Sequence, residues 1–227
     1  MDHHVLPDGR CDIILRFHSD GSKPLGPIFP VIVGAATRFH IVQIEPGTAY
    51  VGVRLRPGTA RKVLEVRLKE ITDQGIGGDA AIAKIPALAA LCAPAKSIDE
   101  LVNRLNAFVV ERSSKAQIDL LTSGLINMLH ITGGRLPITE IASLHGVDVR
   151  MVHRRIVSST GLTPKQMAMV IQFHRALRLI IDGKLDVASA AFEAGYADQA
   201  HMTRTFRSLG GFSPARLPEL VLAGLPI

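Results

Sequence analysis

Two groups of side chains in this sequence carry recognisable chemistry. Arg150, His153 and Arg154 fall at the spacing that places them, with Met151, on one face of a helix. Further on, Gln199, Ala200, His201, Arg204 and Arg207 do the same. Guanidinium, imidazole and carboxamide groups present donors and acceptors that match base edges and phosphate oxygens. Such a face suits the major groove of duplex DNA. Bond-breaking chemistry is not indicated. The chain has no Gly-x-Ser-x-Gly and no cysteine in a known register with a histidine, so no catalytic residues are assigned.

The elements needed to hold these faces are written around them. In the first unit, Ile138 to Leu144 makes one helix and Val149 to Ser158 the next. Ala142 is small where the second helix must cross closely. Gly146 supplies the positive φ that ends the first helix, Val147 plugs the turn, and Asp148 caps the second helix. Val152 and Ile156 point inward. The same types return in order as Ala191, Gly195, Asp198, Met202 and Phe206. Each unit is followed by a similar turn, Thr160-Gly161-Leu162-Thr163-Pro164 and Gly210-Gly211-Phe212-Ser213-Pro214. The sequence therefore encodes one helix-turn-helix device twice. Helices are expected over Gln117–His130, Ile138–His145, Val149–Ser158, Pro164–Asp182, Val187–Ala194, Asp198–Leu209 and Ser213–Leu222, an all-α part of about seven helices.

Residues 113–217 resemble the DNA-binding domain of the arabinose-regulator (AraC/XylS) family. The residues that carry the resemblance run from Ala191 to Pro214, with Gly195-Tyr196, Asp198-Gln199, Met202-Thr203-Arg204-Thr205-Phe206 and Gly211-Phe212-Ser213-Pro214 in family register. The resemblance implies that one long helix, here Pro164–Asp182, joins the two units. It implies recognition helices at Val149–Ser158 and Asp198–Leu209. It places base contacts on Arg150, His153 and Arg154, then on Gln199, Ala200 and Arg204. Ala200 departs from the polar residue common at that position and can offer only apolar contact. A linker helix of this kind would hold the recognition helices about 34 Å apart, one turn of B-DNA. Lys165, Arg175, Arg178 and Lys184 are candidate phosphate contacts.

The first half reads as strand-rich. Cys11–Phe17, Phe29–Val33, Phe39–Ile44 and Tyr50–Leu55 are runs of β-formers bounded by glycine or proline. After Pro57-Gly58 the period changes to a short helix around Ala60, Val63 and Leu64, with Thr59 near its cap, and a second short helix over Arg67 to Asp73. Residues 74–96 read as a loop or linker with one short helix at most. Gly75-Ile76-Gly77-Gly78 lacks the strand-loop-helix context of a phosphate loop and reads as a flexible turn. Ser97 and Glu100 form a capping box for a helix whose apolar stripe is Ile98, Leu101, Val102, Leu105, Phe108 and Val109. That stripe can pack on its own domain or on a second copy of the chain.

Leu6-Pro7-Asp8-Gly9 and Gly52-Val53-Arg54-Leu55-Arg56-Pro57-Gly58 resemble a partly cupin-like N-terminal domain found in a subset of the same family, which implies effector binding, dimerisation or both. His3, His4, His18, His40 and Glu45 are the side chains there with metal-ligand chemistry, but no His-x-His pair precedes a glutamate, so no metal is expected. Cys11 and Cys92 are too few and too far apart for a disulfide framework or a zinc ribbon.

Composition agrees with this division. Residues 1–112 hold 14 Lys/Arg against 12 Asp/Glu, and residues 113–227 hold 12 against 8, within an overall net charge of +6. The excess lies with the helix-turn-helix units, as a polyanionic partner would require. No apolar run is long enough for a membrane span and no secretory leader is visible. The expected fold is α+β, with a small β-rich sensing or dimerising domain (1–96), a linker helix (97–112) and a double helix-turn-helix domain (113–227). The expected function is that of a cytoplasmic, nucleoid-associated transcription regulator that needs no cofactor. Its partners would be double-stranded DNA, a small-molecule effector, RNA polymerase and a second copy of itself, with no membrane. The competing reading is a cupin-like binder or metal-dependent enzyme with a degenerate helix-turn-helix domain.

Overall fold

The computed structural model describes residues 2–19, 25–114, 119–183 and 185–217. Its first part is built on an antiparallel sheet. Strand β2 (Cys11–His18) lies between β5 (Thr48–Leu55) and β3 (Phe29–Val33), and β3 pairs on its other edge with β6 (Gly75–Gly77). Strict alternation in β2 decides which face is covered: Ile13, Leu15 and Phe17 are buried, while Asp12, Ile14 and Arg16 lie on the opposite face. A separate two-stranded ribbon pairs β1 (Asp2–Val5) with β4 (His40–Gln43).

Residues 74–96 correct the sequence reading. Gly75–Gly77 is a sheet edge rather than a flexible turn, because its backbone pairs with Val31 to Val33. Helix α2 (Gly78–Lys84) and a 3₁₀ segment (Pro86–Cys92) follow and bury Ala81, Leu88 and Leu91. Glycine and proline here punctuate short elements packed on the sheet instead of marking a linker. Helix α1 (Ala60–Leu64) forms as expected, but the Thr59 side chain makes no capping bond, and the next helical turn is a 3₁₀ segment over Leu68–Ile71.

Helix α3 (Ile98–Ser114) buries Leu101 and Leu105 in its own chain's core and leaves Ile98, Val102 and Val110 exposed. Its cap differs slightly from the expected box. Ser97 accepts from the Glu100 amide, but Glu100 reaches back to the amide of Lys96. Six helices follow: α4 (Leu120–Ile131), α5 (Ile138–Leu144), α6 (Val149–Thr160), α7 (Pro164–Ile181), α8 (Val187–Glu193) and α9 (Gln199–Gly210). Of the expected helix Ser213–Leu222, residues 213–216 form a turn closed by Arg216 N–H to Ser213 O, and 218–222 lie outside the described residues. Gln117 and Lys184 lie outside them too.

Two buried clusters organise the chain. The larger begins on the sheet with Ile13, Leu15 and Ile32 and continues through Leu101, Leu105 and Leu125 to Ile141, Val152, Ile156 and Met167. The first helix-turn-helix unit thus shares a core with the β-rich part. The smaller cluster, Phe173, Leu177, Ala191, Tyr196, Met202, Phe206 and Phe212, belongs to the second unit. Helix α7 supplies residues to both, with Met167 in the first and Phe173 and Leu177 in the second. Among the described residues no helix is long and apolar enough to cross a membrane.

Candidate nucleic-acid interface

Each unit is assembled by the same backbone bonds. In the first, Gly146 has φ of 63°, its amide donates to Ser143 O, and the Val147 amide donates to Ala142 O at 3.0 Å. In the second, Gly195 has φ of 83°, its amide donates to Phe192 O, and the Tyr196 amide donates to Ala191 O at 2.9 Å. The second turn then takes one extra residue, Ala197, before the cap. Asp148 accepts from the Met151 amide at 2.7 Å, and Asp198 accepts from the His201 amide at 2.6 Å. Both recognition helices end on a left-handed glycine, Gly161 and Gly211. Caps and glycines fix where each helix begins and stops, and so which side chains face outward.

Burial then separates the two faces. Val152 and Ile156 in α6, and Met202 and Phe206 in α9, are fully buried. Arg150, His153 and Arg154 are exposed on α6. Gln199, Ala200, His201, Arg204 and Arg207 are exposed on α9. The structure therefore brings each predicted set onto one solvent-facing surface, supported from behind by apolar packing. Lys165 is exposed at the start of α7, just after the capping box made by Thr163 and Gln166. Arg178 is exposed as well. Arg175 leans instead toward Glu193 of α8 at 3.9 Å. Helix α7 has 18 residues, a rise of about 27 Å, and sets the spacing of the two units.

One supporting residue was not predicted. Arg155, beside the reading face, donates Nη1–H to Asp119 at 2.6 Å. Asp119 also caps α4 through the Thr122 amide and hydroxyl. The Thr122 bonds, then Arg155, hold its carboxyl below the usual carboxylate range. This ties the recognition helix to α4. The signal lay in the Asp-x-x-Thr cap at Asp119 and a third basic residue after Arg154, but nothing local linked the two.

The residues considered for metal binding are dispersed. His3 and His40 line a cavity beside the β1–β4 ribbon. His4 bonds Gly210 O. Among the described residues, no three His, Cys, Asp or Glu side chains converge to hold a metal ion. Burial pushes the Cys11 thiol up to about 11, which leaves it a poor nucleophile.

Comparison with known proteins follows the same division. Residues 134–219 match the "Helix-turn-helix domain" family, and residues 1–77 match "Domain of unknown function (DUF6597)". The chain is 31% identical over 79 residues to the HTH-type transcriptional activator RhaS of Escherichia fergusonii, covering 35% of this chain and 28% of that protein. It is 29% identical over 75 residues to RhaS of Klebsiella pneumoniae, covering 33% of this chain and 27% of that protein. These alignments thus span little more than a quarter of the relatives' own length. In fold, the chain is similar to ToxT from Vibrio cholerae, with a TM-score of 0.50 at 12% identity, over 98% of this chain and 97% of that one.

Proposed function

We propose that this chain, a member of the arabinose-regulator (AraC/XylS) family by its helix-turn-helix domain, is a sequence-specific regulator of transcription that reads double-stranded DNA. Its two recognition helices, α6 and α9, enter successive major grooves on one side of the duplex. The observation that supports this most directly is the duplicated scaffold. Two units with the same caps, turn bonds and glycines each turn a basic, hydrogen-bonding face to solvent. Arg150, His153 and Arg154 read bases from α6. Gln199, Arg204 and backbone groups read them from α9, with Ala200 giving apolar contact and His201 and Arg207 at the edge of the face. Lys165 and Arg178 hold phosphates.

By role, residues 1–96 sense a small effector, 97–112 connect, and 113–227 bind DNA. RNA polymerase and a second copy of the chain are the expected protein partners, and the nucleoid in the cytoplasm is the expected place of action. The relatives are named as transcriptional activators. The test is fluorescence anisotropy with duplex DNA across a salt series. Binding should weaken steeply with salt, the logarithm of the affinity falling by roughly 0.9 for each phosphate neutralised per unit of log salt. Binding that is absent, or indifferent to salt, would overturn the reading.

A further inference from the structure

The β1–β4 ribbon has two faces with different neighbours. In its antiparallel register His3 opposes Val42 and Val5 opposes His40. These four therefore share one face, and His4 and Ile41 share the other. The first face lines a cavity of about 570 Å³. The opposite wall is the uncovered side of the main sheet, including Ile14, Val33, Tyr50 and Gly52. The second face of the ribbon meets the second helix-turn-helix unit. His4 Nε2 lies 2.8 Å from Gly210 O, and since a carbonyl only accepts, that nitrogen carries the proton. The His4 ring stacks on Phe39 at 4.8 Å between centroids. The Phe39 amide, just before β4, donates to Leu209 O at 2.8 Å. The Phe39 ring lies so close to Gly211 that a Cβ there would sit 2.5 Å from it. These contacts close on the last turn and cap of α9, the recognition helix that carries Gln199 and Arg204.

A two-stranded ribbon has little stability of its own, so its position depends on what it packs against. All four residues of β4 are exposed, and the ribbon shares no strand ladder with the main sheet. The cavity and the end of α9 are therefore two supports of one weak element.

Charge in the cavity is already balanced. Its lining holds one guanidinium, Arg54, and one carboxylate, Asp12, paired at 3.0 Å; Arg54 also meets Asp8, outside the lining, at 3.1 Å. An anion would face those carboxylates, and a cation would face the guanidinium. The remaining lining is mainly aliphatic, with the His3 and His40 imidazoles and the Tyr50 hydroxyl able to orient a polar group. Partial desolvation where His40 faces the cavity holds its pKa below the usual imidazole range, which favours the neutral form. The volume falls within the range of sites for small organic ligands.

We propose that this cavity binds an uncharged, mainly apolar small molecule, and that occupancy is passed through the β1–β4 ribbon to the C-terminal end of α9. The inference rests on the effector-responsive reading above and adds the ligand class and the route. The ribbon is the bistable element that both sites bias.

Nile red, a neutral apolar dye, is the probe for the full-length chain. It should bind saturably. Val42→Trp, from the ribbon side, and Ile14→Phe, from the sheet side, should each weaken that binding by roughly tenfold or more, with secondary structure retained by circular dichroism. Bound dye should change hydrogen exchange at the Phe39 amide and at residues 207–211. It should also change duplex affinity by roughly 5- to 150-fold, the usual range of coupling between sites. The double variant His4→Ala/Phe39→Ala should still bind dye but lose the effect on α9 exchange and on DNA. The proposal fails if dye does not bind saturably, or if both cavity variants bind it as well as the parent. It fails equally if exchange at α9 ignores the dye, or if the double variant still transmits. Should the chain bind no DNA at all, the functional reading falls, yet dye binding and exchange still decide this inference.

Discussion

Gly146 and Gly161 offer a matched perturbation of the first helix-turn-helix unit. Both adopt positive φ, 63° and 82°. An alanine at either position bears the left-handed penalty of about 1–2 kcal/mol. The surroundings differ. Nothing lies within 4 Å of a Cβ built at Gly146. At Gly161 the new atom would sit 2.7 Å from Thr72 Oγ1 and 2.9 Å from Leu68 O, where the end of α6 meets the 3₁₀ segment of the β-rich part. Thr72 Oγ1 bridges this junction, with Gly161 O at 3.1 Å and Leu68 O at 3.2 Å. Backbone oxygen cannot rotate away, so overpacking adds about 1–3 kcal/mol. Gly161→Ala should therefore destabilise by roughly 2–5 kcal/mol and Gly146→Ala by roughly 1–2 kcal/mol. Equilibrium urea unfolding measures both. Adding Thr72→Ala to Gly161→Ala should not restore the loss, because the Leu68 carbonyl remains. Equal destabilisation by the two alanines would refute the claim that the first unit is packed against the β-rich part at this point.

Other expectations follow from the same geometry. Asp148→Ala and Asp198→Ala each remove a helix cap and should each cost about 1 kcal/mol in thermal or urea unfolding, with weaker DNA binding from a frayed reading helix. Tyr196 is buried, and its hydroxyl lacks a well-placed hydrogen-bond partner among the described residues, so Tyr196→Phe should leave stability unchanged or raise it by up to about 1 kcal/mol. His174 donates Nε2–H to Pro7 O at 2.7 Å, and burial, then Arg178 and Arg10, lower its pKa against the opposing Pro7 bond and Asp8. The unfolded chain takes up that proton first, so this stability is present above the ordinary imidazole range and is lost as pH falls through the lowered value. Melting temperature should fall on acidification below about pH 6.5, and His174→Gln should flatten that fall.

The helix-turn-helix units were legible because their determinants are local. A small residue, a left-handed glycine, a capping aspartate and two inward apolar residues fall within one short stretch, and their repetition removes ambiguity. Exposure of Arg150, Arg154 and Arg204 follows from the same periodicity that buries Val152 and Met202. The β1–β4 ribbon was harder to read. His3 and His4 look like ligand candidates in sequence, whereas their separation onto two faces depends on pairing with His40 to Gln43, which follow only after β2 and β3. Gly75 to Gly77 carries little side-chain pattern, so its strand is set by the free edge of β3. The joint burial of the first unit with the sheet was equally hidden, since the junction brings Thr72 to Gly161, residues far apart in sequence.

The central claim, two recognition helices reading two adjacent grooves, is tested most directly by selecting bound duplexes from a random pool with the parent chain, Arg154→Ala and Arg204→Ala. Two half-sites about one helical turn apart are expected, with Arg154→Ala relaxing one and Arg204→Ala the other, each at about 1–3 kcal/mol. A pool without enrichment, or a single half-site altered alike by both variants, would contradict it.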